Sequence, residues 1–282
     1  MRTIEFETIA AAVASACVEA NRRLPDDVVA SLGAALARET EPRAQAILRD
    51  ILRNAELAAE TGLPLCQDTG LAVVFAEVGQ DARLEGGLLS DAVNEGVRRA
   101  TREGLLRSSM LADPLARGPN TGDNTPAVLH VRLVEGEGLR LTVAPKGGGC
   151  ENMSAVWMLT PAQGRAGVVE AITARIREAG GRPCPPLVLG VGIGGSFEQA
   201  ALLAKRAATM RRVGEPNSDS ALADLEAELL EAVNATGVGP MGLGGRTTAL
   251  AVHVQSYPCH IASLPVALNV QCHSARHRTV EL

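Results

Sequence analysis

Residues 47–78 read ILRDILRNAELAAETGLPLCQDTGLAVVFAEV, and within this stretch the apolar repeat changes from that of a helix to that of a strand. Ile47, Leu48, Ile51, Leu52 and Ala55 share one face of a 3.6-residue repeat, and Gly62 is placed to cap the end. LAVVFAEV (71–78) is then a short apolar run rich in β-branched residues, as in a buried strand. The junction itself holds a thiol, an amide and a carboxylate, Cys66, Gln67 and Asp68, followed by Thr69 and Gly70. A core cysteine would not ordinarily be followed by two polar groups that are costly to bury unpaired. The junction therefore predicts a chain that passes from helices into sheet and carries chemistry where it does so.

Upstream, residues 4–61 read as helices. Downstream, the pattern predicts a helix near 86–104, a long polar loop at 111–126, and a hairpin made by AVLHVRL (127–133) and LRLTVAP (139–145) around VEGEG. The hairpin leads into PKGGGCEN (145–152). Helices are expected near 152–159, 162–179, 196–212 and 219–235, and strands at 187–192, 247–255 and 264–270. This order is not a regular βαβ alternation, so the fold class is α+β: an N-terminal helical cluster followed by mixed or antiparallel sheets packed with helices. The expected organisation is one domain over 1–282, with a helical lobe over 1–62 and an α+β lobe over 63–282.

The formal net charge is −5 and the aromatics number five, Phe6, Phe75, Trp157, Phe197 and Tyr257. So little basic and stacking surface argues against nucleic acid as a partner. No apolar run approaches the roughly 20 residues that span a bilayer, and Glu5 and Glu7 near the start are unlike a secretion signal, so a cytoplasmic protein with no membrane partner is expected. In that compartment the six cysteines are poor disulfide candidates, leaving metal binding, catalysis or packing. Lysine occurs only as Lys146 and Lys205 against a strong bias to arginine.

Gly190, Gly192 and Gly195 satisfy G-x-G-x-x-G after a strand and before a helix, but a dinucleotide fold needs a second strand ending in an acid about 20 residues on, and that region reads as helix. A glycine-rich strand-to-helix turn is the simpler reading. Among the cysteines, Cys17 lies in an Ala-rich helix and reads as core. Cys66 and Cys184 lie in rigid turns, the latter among Pro183, Pro185 and Pro186, and Cys272 ends a strand in phase with its buried face. Cys150 and Cys259 stay ambiguous. The wide spacing matches neither a zinc ribbon nor a ferredoxin.

PLCQDTG, LLRSSMLADPL with NTGDNTP, PKGGGCEN, CPPLVLGVGIGG, GVGPMGLGGRTTAL and NVQCHSAR follow one another in this order. Together, over nearly the whole chain, they resemble the α subunit of class I fumarate hydratases and L(+)-tartrate dehydratases, iron–sulfur hydro-lyases. The resemblance implies a 4Fe–4S cluster held by Cys66, Cys184 and Cys272, with one iron left open as a Lewis acid. It implies Asp68 as the catalytic proton carrier, and Gln67, Asp68, Arg107, Gly148, Gly149 and His260 around a small dicarboxylate substrate. The reaction so implied is reversible dehydration of (S)-malate to fumarate, with L(+)-tartrate dehydration as the alternative. Cys150 stands where relatives usually have serine or another small residue; as a fourth ligand it would close the open iron and give an iron–sulfur redox protein with four cysteine ligands instead. A separate β-type subunit is expected to bring the carbon base and further cations, in a heterotetramer built on an α–α dimer. If the chain acted alone, the base would be sought among His253, His273 and Lys146.

Overall fold

The computed structural model describes residues 2–282. In chain order the elements are β1 (Thr3–Glu5), α1 (Phe6–Arg22), α2 (Asp26–Arg38), α3 (Pro42–Thr61), β2 (Leu71–Gly79), β3 (Arg83–Glu85), α4 (Leu89–Glu103), β4 (Val128–Val134), β5 (Leu139–Lys146), α5 (Gly148–Glu151), β6 (Ala155–Leu159), α6 (Gly164–Ala179), β7 (Leu187–Gly194), α7 (Phe197–Met210), α8 (Ser220–Asn234), β8 (Ala249–Tyr257), β9 (Leu264–Gln271) and β10 (Arg278–Glu281). The α+β class expected from the sequence is the class observed, with three N-terminal helices and two four-stranded mixed sheets. The described chain divides into two compact units, residues 2–24, 55–148 and 276–282 in one and 25–54 and 149–275 in the other.

In the first unit the strand order is β10-β5-β2-β4. Val74, Ala76 and Val78 of β2 and Leu139, Leu141 and Val143 of β5 meet Ile9, Val13 and Cys17 of α1 and Val93 and Val97 of α4 in one apolar cluster. The expected hairpin does not form. β2 lies between its two arms, antiparallel to β5 and parallel to β4. Alternation and a glycine-rich link fit a hairpin and this arrangement equally; β2, buried along nearly its whole length, needs a neighbour on each edge to satisfy its backbone. The link instead wraps round the end of β2, where Gly79 N–H donates to Gly138 O and Asp81 N–H to Gly136 O. A Cβ on Gly79 would stand 2.4 Å from Gly136 O, so only glycine admits the wrap.

In the second unit the order is β6-β9-β7-β8. Ile172 and Ile176 of α6 and Leu225, Leu229 and Val233 of α8 pack on the side chains of β7, β8 and β9, while α7 covers the other face. The expected helix over 152–159 is instead the edge strand β6, antiparallel to β9. AVWML holds one β-branched and one aromatic residue, Val156 and Trp157, and its pairing to β9 outweighs a helical pattern too short to be stable alone. Gly190 and Gly192 serve packing: a Cβ at either would stand 2.0 Å from a carbonyl of α7, Ala204 O and Ala200 O respectively. The glycine motif thus lets a helix lie directly on a strand.

Candidate active site

Asp68 and Gly148 are 80 residues apart and meet because β2 and β5 are antiparallel with Leu71 opposite Lys146, which sets the turn before β2 beside the turn after β5. Asp68 Oδ1 accepts the Gly70 N–H at 2.9 Å and Oδ2 accepts the Gly148 N–H at 2.8 Å. Both carboxylate oxygens are therefore oriented by backbone donors. Gly70 has φ +74°, and a Cβ there would fall 2.7–2.8 Å from the backbone of Lys146. Arg276, buried in the first unit, donates from Nη2 to Asp68 O and fixes the turn from behind. The Asp68 N–H reaches Cys66 Sγ at 3.4 Å, and the thiol lies 3.4 Å from Gln67 Oε1.

Asp68, Arg107, Lys146 and Gly148 line one cavity of about 570 Å³ in the first unit, together with Ser108, Ser109, Arg117 and Asn120. The sequence-expected acid and clamp are thus brought together there. Gln67 is exposed beside them. The Gly148 amide is engaged by Asp68 in this structure. Lys146, 1% exposed, also lines the cavity, though the sequence offered it only as a fallback carbon base, and Arg117, another lining residue, was not named from the sequence at all. The signal for Lys146 was its persistence against the arginine bias.

In the second unit, β7 and β9 are antiparallel with Val188 opposite Gln271, and the His273 N–H donates to Cys184 O at 3.2 Å. The backbones that carry Cys184 and Cys272 are adjacent. Cys184 has φ +55°, a conformation that costs a non-glycine residue energy and that surrounding contacts must hold. GVGPMGLGG supplies such contacts: the Met241 N–H donates to Pro185 O at 2.8 Å, and a Cβ on Gly181 would fall 2.7 Å from Met241 O. Cys66, Cys184 and Cys272 are all half-buried, and no cysteine among the described residues is in a disulfide. Half-exposed thiols on fixed turns suit soft-metal or cluster ligation. Among the described residues, no three His, Cys, Asp or Glu side chains gather into a single-ion site.

The remaining cysteines differ from these three. Cys17 is in the core of the first unit, where burial pushes its thiol up to about 12. Cys150 is buried in the apolar cluster of the second unit, and Cys259 is exposed with Sγ facing Ser263 O at 3.3 Å. His260 is exposed, its Nδ1 accepting the Ala262 N–H at 3.1 Å. Gly149 belongs with the second unit and is exposed. His253 is 2% exposed beneath α7, with Nδ1 against Ala207 O, and burial holds its imidazole below the usual range. A group so enclosed cannot reach a substrate carbon.

Residues 10–281 match the model of a family described as fumarate hydratase (fumerase). A Methanocaldococcus jannaschii protein provisionally named L(+)-tartrate dehydratase subunit alpha is 40% identical over 264 residues, 92% of this chain and 92% of that protein. The Escherichia coli K12 protein named L(+)-tartrate dehydratase subunit alpha is 33% identical over 260 residues, 92% of this chain and 85% of that one. No described helix is long and apolar enough to cross a membrane.

Proposed function

This chain belongs to the fumarate hydratase family and is the α-type subunit of a hydro-lyase, and on that premise we propose that it dehydrates a small hydroxy-dicarboxylate using Asp68 and Arg107. The observation that carries the proposal is that an acid held by two backbone amides and an exposed guanidinium line the same cavity. Arg107 binds one substrate carboxylate as a two-pronged donor. Asp68 moves a proton at the departing hydroxyl oxygen, and the Gly70 and Gly148 amides keep its carboxylate aimed as the charge changes. Gln67, Gly149 and His260 complete the proposed substrate contacts.

Cys66, Cys184 and Cys272 are the residues that would hold a 4Fe–4S cluster. The chemistry such a cluster supplies, with one iron free of protein ligands, is Lewis-acid polarisation of the leaving hydroxyl. The enclosure of Cys150 among Val168, Ile172 and Leu268 favours packing over a fourth ligand. Loss of water also needs a base on the neighbouring carbon, and the buried His253 does not qualify. That base, with a cation for the second carboxylate, is assigned to a separate β-type subunit, for which the relatives' name "subunit alpha" gives support. Closure of that subunit over the cavity would exclude water during turnover. Assembly as a heterotetramer about an α–α dimer, in the cytoplasm, completes the proposal.

(S)-Malate to fumarate is one reading of the substrate pair. L(+)-tartrate is equally supported, because the curated relatives carry that name. Chain and β-type partner reconstituted together anaerobically with iron and sulfide, and assayed for fumarate from malate and oxaloacetate from L(+)-tartrate, decide between them. Formation of neither product by the cluster-loaded complex would overturn the hydroxy-dicarboxylate assignment.

A further inference from the structure

The carbonyl of Arg107 is the centre of a hydrogen-bonded knot that substrate binding alone does not require. It accepts from Asn124 Nδ2 at 2.9 Å, from Thr69 Oγ1 at 3.1 Å and, more weakly, from Ser109 Oγ at 3.3 Å. Asn124 Oδ1 in turn accepts the Ser109 N–H at 2.7 Å, so one side-chain amide grips the backbone on both sides of Ser108. Thr69 and Asn124 are each 4% exposed, although Arg107 itself is exposed. Asn124 has φ +59°, a left-handed conformation that asparagine tolerates better than most residues.

The knot is anchored to α4. Thr101 Oγ1, on the last turn of that helix, reaches Asp123 O at 3.0 Å, and the Arg98 guanidinium pairs with Asp123 at 3.1 Å. Asn120 and Ser108 add a second tie, Nδ2 to Ser108 O at 2.8 Å and Ser108 Oγ to Gly122 O at 2.9 Å. A loop arginine would ordinarily lose backbone as well as side-chain freedom on binding a ligand. Here the backbone part of that cost has been met in advance. Thr69 also follows Asp68 directly, so the same hydroxyl that grips Arg107 fixes its distance from the acid.

We propose that Thr69 and Asn124 are positioning residues: together they hold the Arg107 backbone so that its guanidinium meets the substrate carboxylate at a set distance from Asp68. The proposal rests on Arg107 being the carboxylate clamp. Asn124→Asp keeps the acceptor for the Ser109 N–H but replaces the amide donor by a carboxylate oxygen and adds a negative charge, so the uncharged Thr69 pair is the cleaner test. Thr69→Val removes the hydroxyl at constant shape, and Thr69→Ser restores it. In the complex of full chain and β-type partner, with whichever hydroxy-dicarboxylate the wild type turns over, Asn124→Asp and Thr69→Val should each raise KM about tenfold with a smaller change in kcat, and Thr69→Ser should stay within about twofold of wild type. Adding Arg107→Ala to either variant should cost nothing beyond Arg107→Ala alone, because both act through it. A purely structural role would lower the amount of folded enzyme and leave KM in place. Unchanged KM in Asn124→Asp and Thr69→Val, or losses that multiply in the double variants, would overturn the proposal. If Asn124→Asp does not fold, the Thr69 pair carries the test. Should Arg107→Ala itself leave KM unchanged, the clamp reading fails first, and the positioning role falls with it.

Discussion

Gly70→Ala is expected to destabilise the first unit and disarm Asp68 together. Two costs add. A left-handed φ of +74° costs a residue with a Cβ about 1–2 kcal/mol. The new methyl would also stand 2.7–2.8 Å from three backbone atoms of Lys146, which cannot swing aside as a side chain could; overpacking of this kind costs about 1–3 kcal/mol. Their sum, about 2–5 kcal/mol, is a large part of the 5–15 kcal/mol by which a typical domain is stable. Relief by shifting the turn would break the 2.8 Å bond from Gly148 N–H to Asp68 Oδ2. Gly62→Ala is the internal control, since Gly62 has φ +71° but nothing within 4 Å of its Cβ position, so it registers the conformational cost alone. Urea unfolding followed by far-UV circular dichroism, with hydrogen exchange at the β2 amides, reads both variants; the lone tryptophan, Trp157, lies in the second unit and would report there. If Gly70→Ala costs no more than Gly62→Ala, the close approach to Lys146 is not what requires glycine, and the reasoning fails.

Asp68→Asn should retain the cluster spectrum and lose about 10²–10⁴-fold in kcat, the range for removal of a general acid–base; near-normal turnover would take Asp68 out of the reaction. Cys184→Ser should lower iron and sulfide content after anaerobic reconstitution while Cys17→Ser does not, and elemental analysis of the two proteins checks the ligand assignment. Because burial is the main reason the His253 pKa lies below its ordinary 6.5, the unfolded chain takes up this proton first as pH falls. Stability should therefore decline below about pH 6.5 towards the depressed folded value, and His253→Gln should flatten that decline in urea titrations at successive pH. The charges that bear on it, Arg211, Glu226 and Asp27, remain in the variant.

Single elements with a strong local pattern were legible in the sequence. The face formed by Leu48, Ile51 and Ala55 in α3 and the apolar run of β2 are observed where the periodicity places them. Pairing was not legible: β4 and β5 carry the alternation of a hairpin, and only the demand of β2 for two neighbours separates them. β6 was misread because five residues of AVWML hold too little period to tell a strand from a helix. Asp68 and Arg107, which line one cavity, were candidates named through the family resemblance. The residues that hold them were not. Thr69, Asn124 and Arg276 act through backbone carbonyls 38, 17 and 208 positions away, a relation that exists only after folding.

The reach of Arg276 to Asp68 also sets an order of events during synthesis. The turn that carries Asp68 leaves the ribosome well before its brace, which lies 208 residues further along the chain. At typical elongation rates of about 5–20 residues per second, the interval is about 10–40 s. Through that interval the nascent chain can already form α1, β2 and α4, but the turn lacks the guanidinium that grips it, and β5 lacks the β10 strand that lines its outer edge. The turn that carries Asp68 is therefore braced only after the intervening residues, most of the second unit among them, have been made.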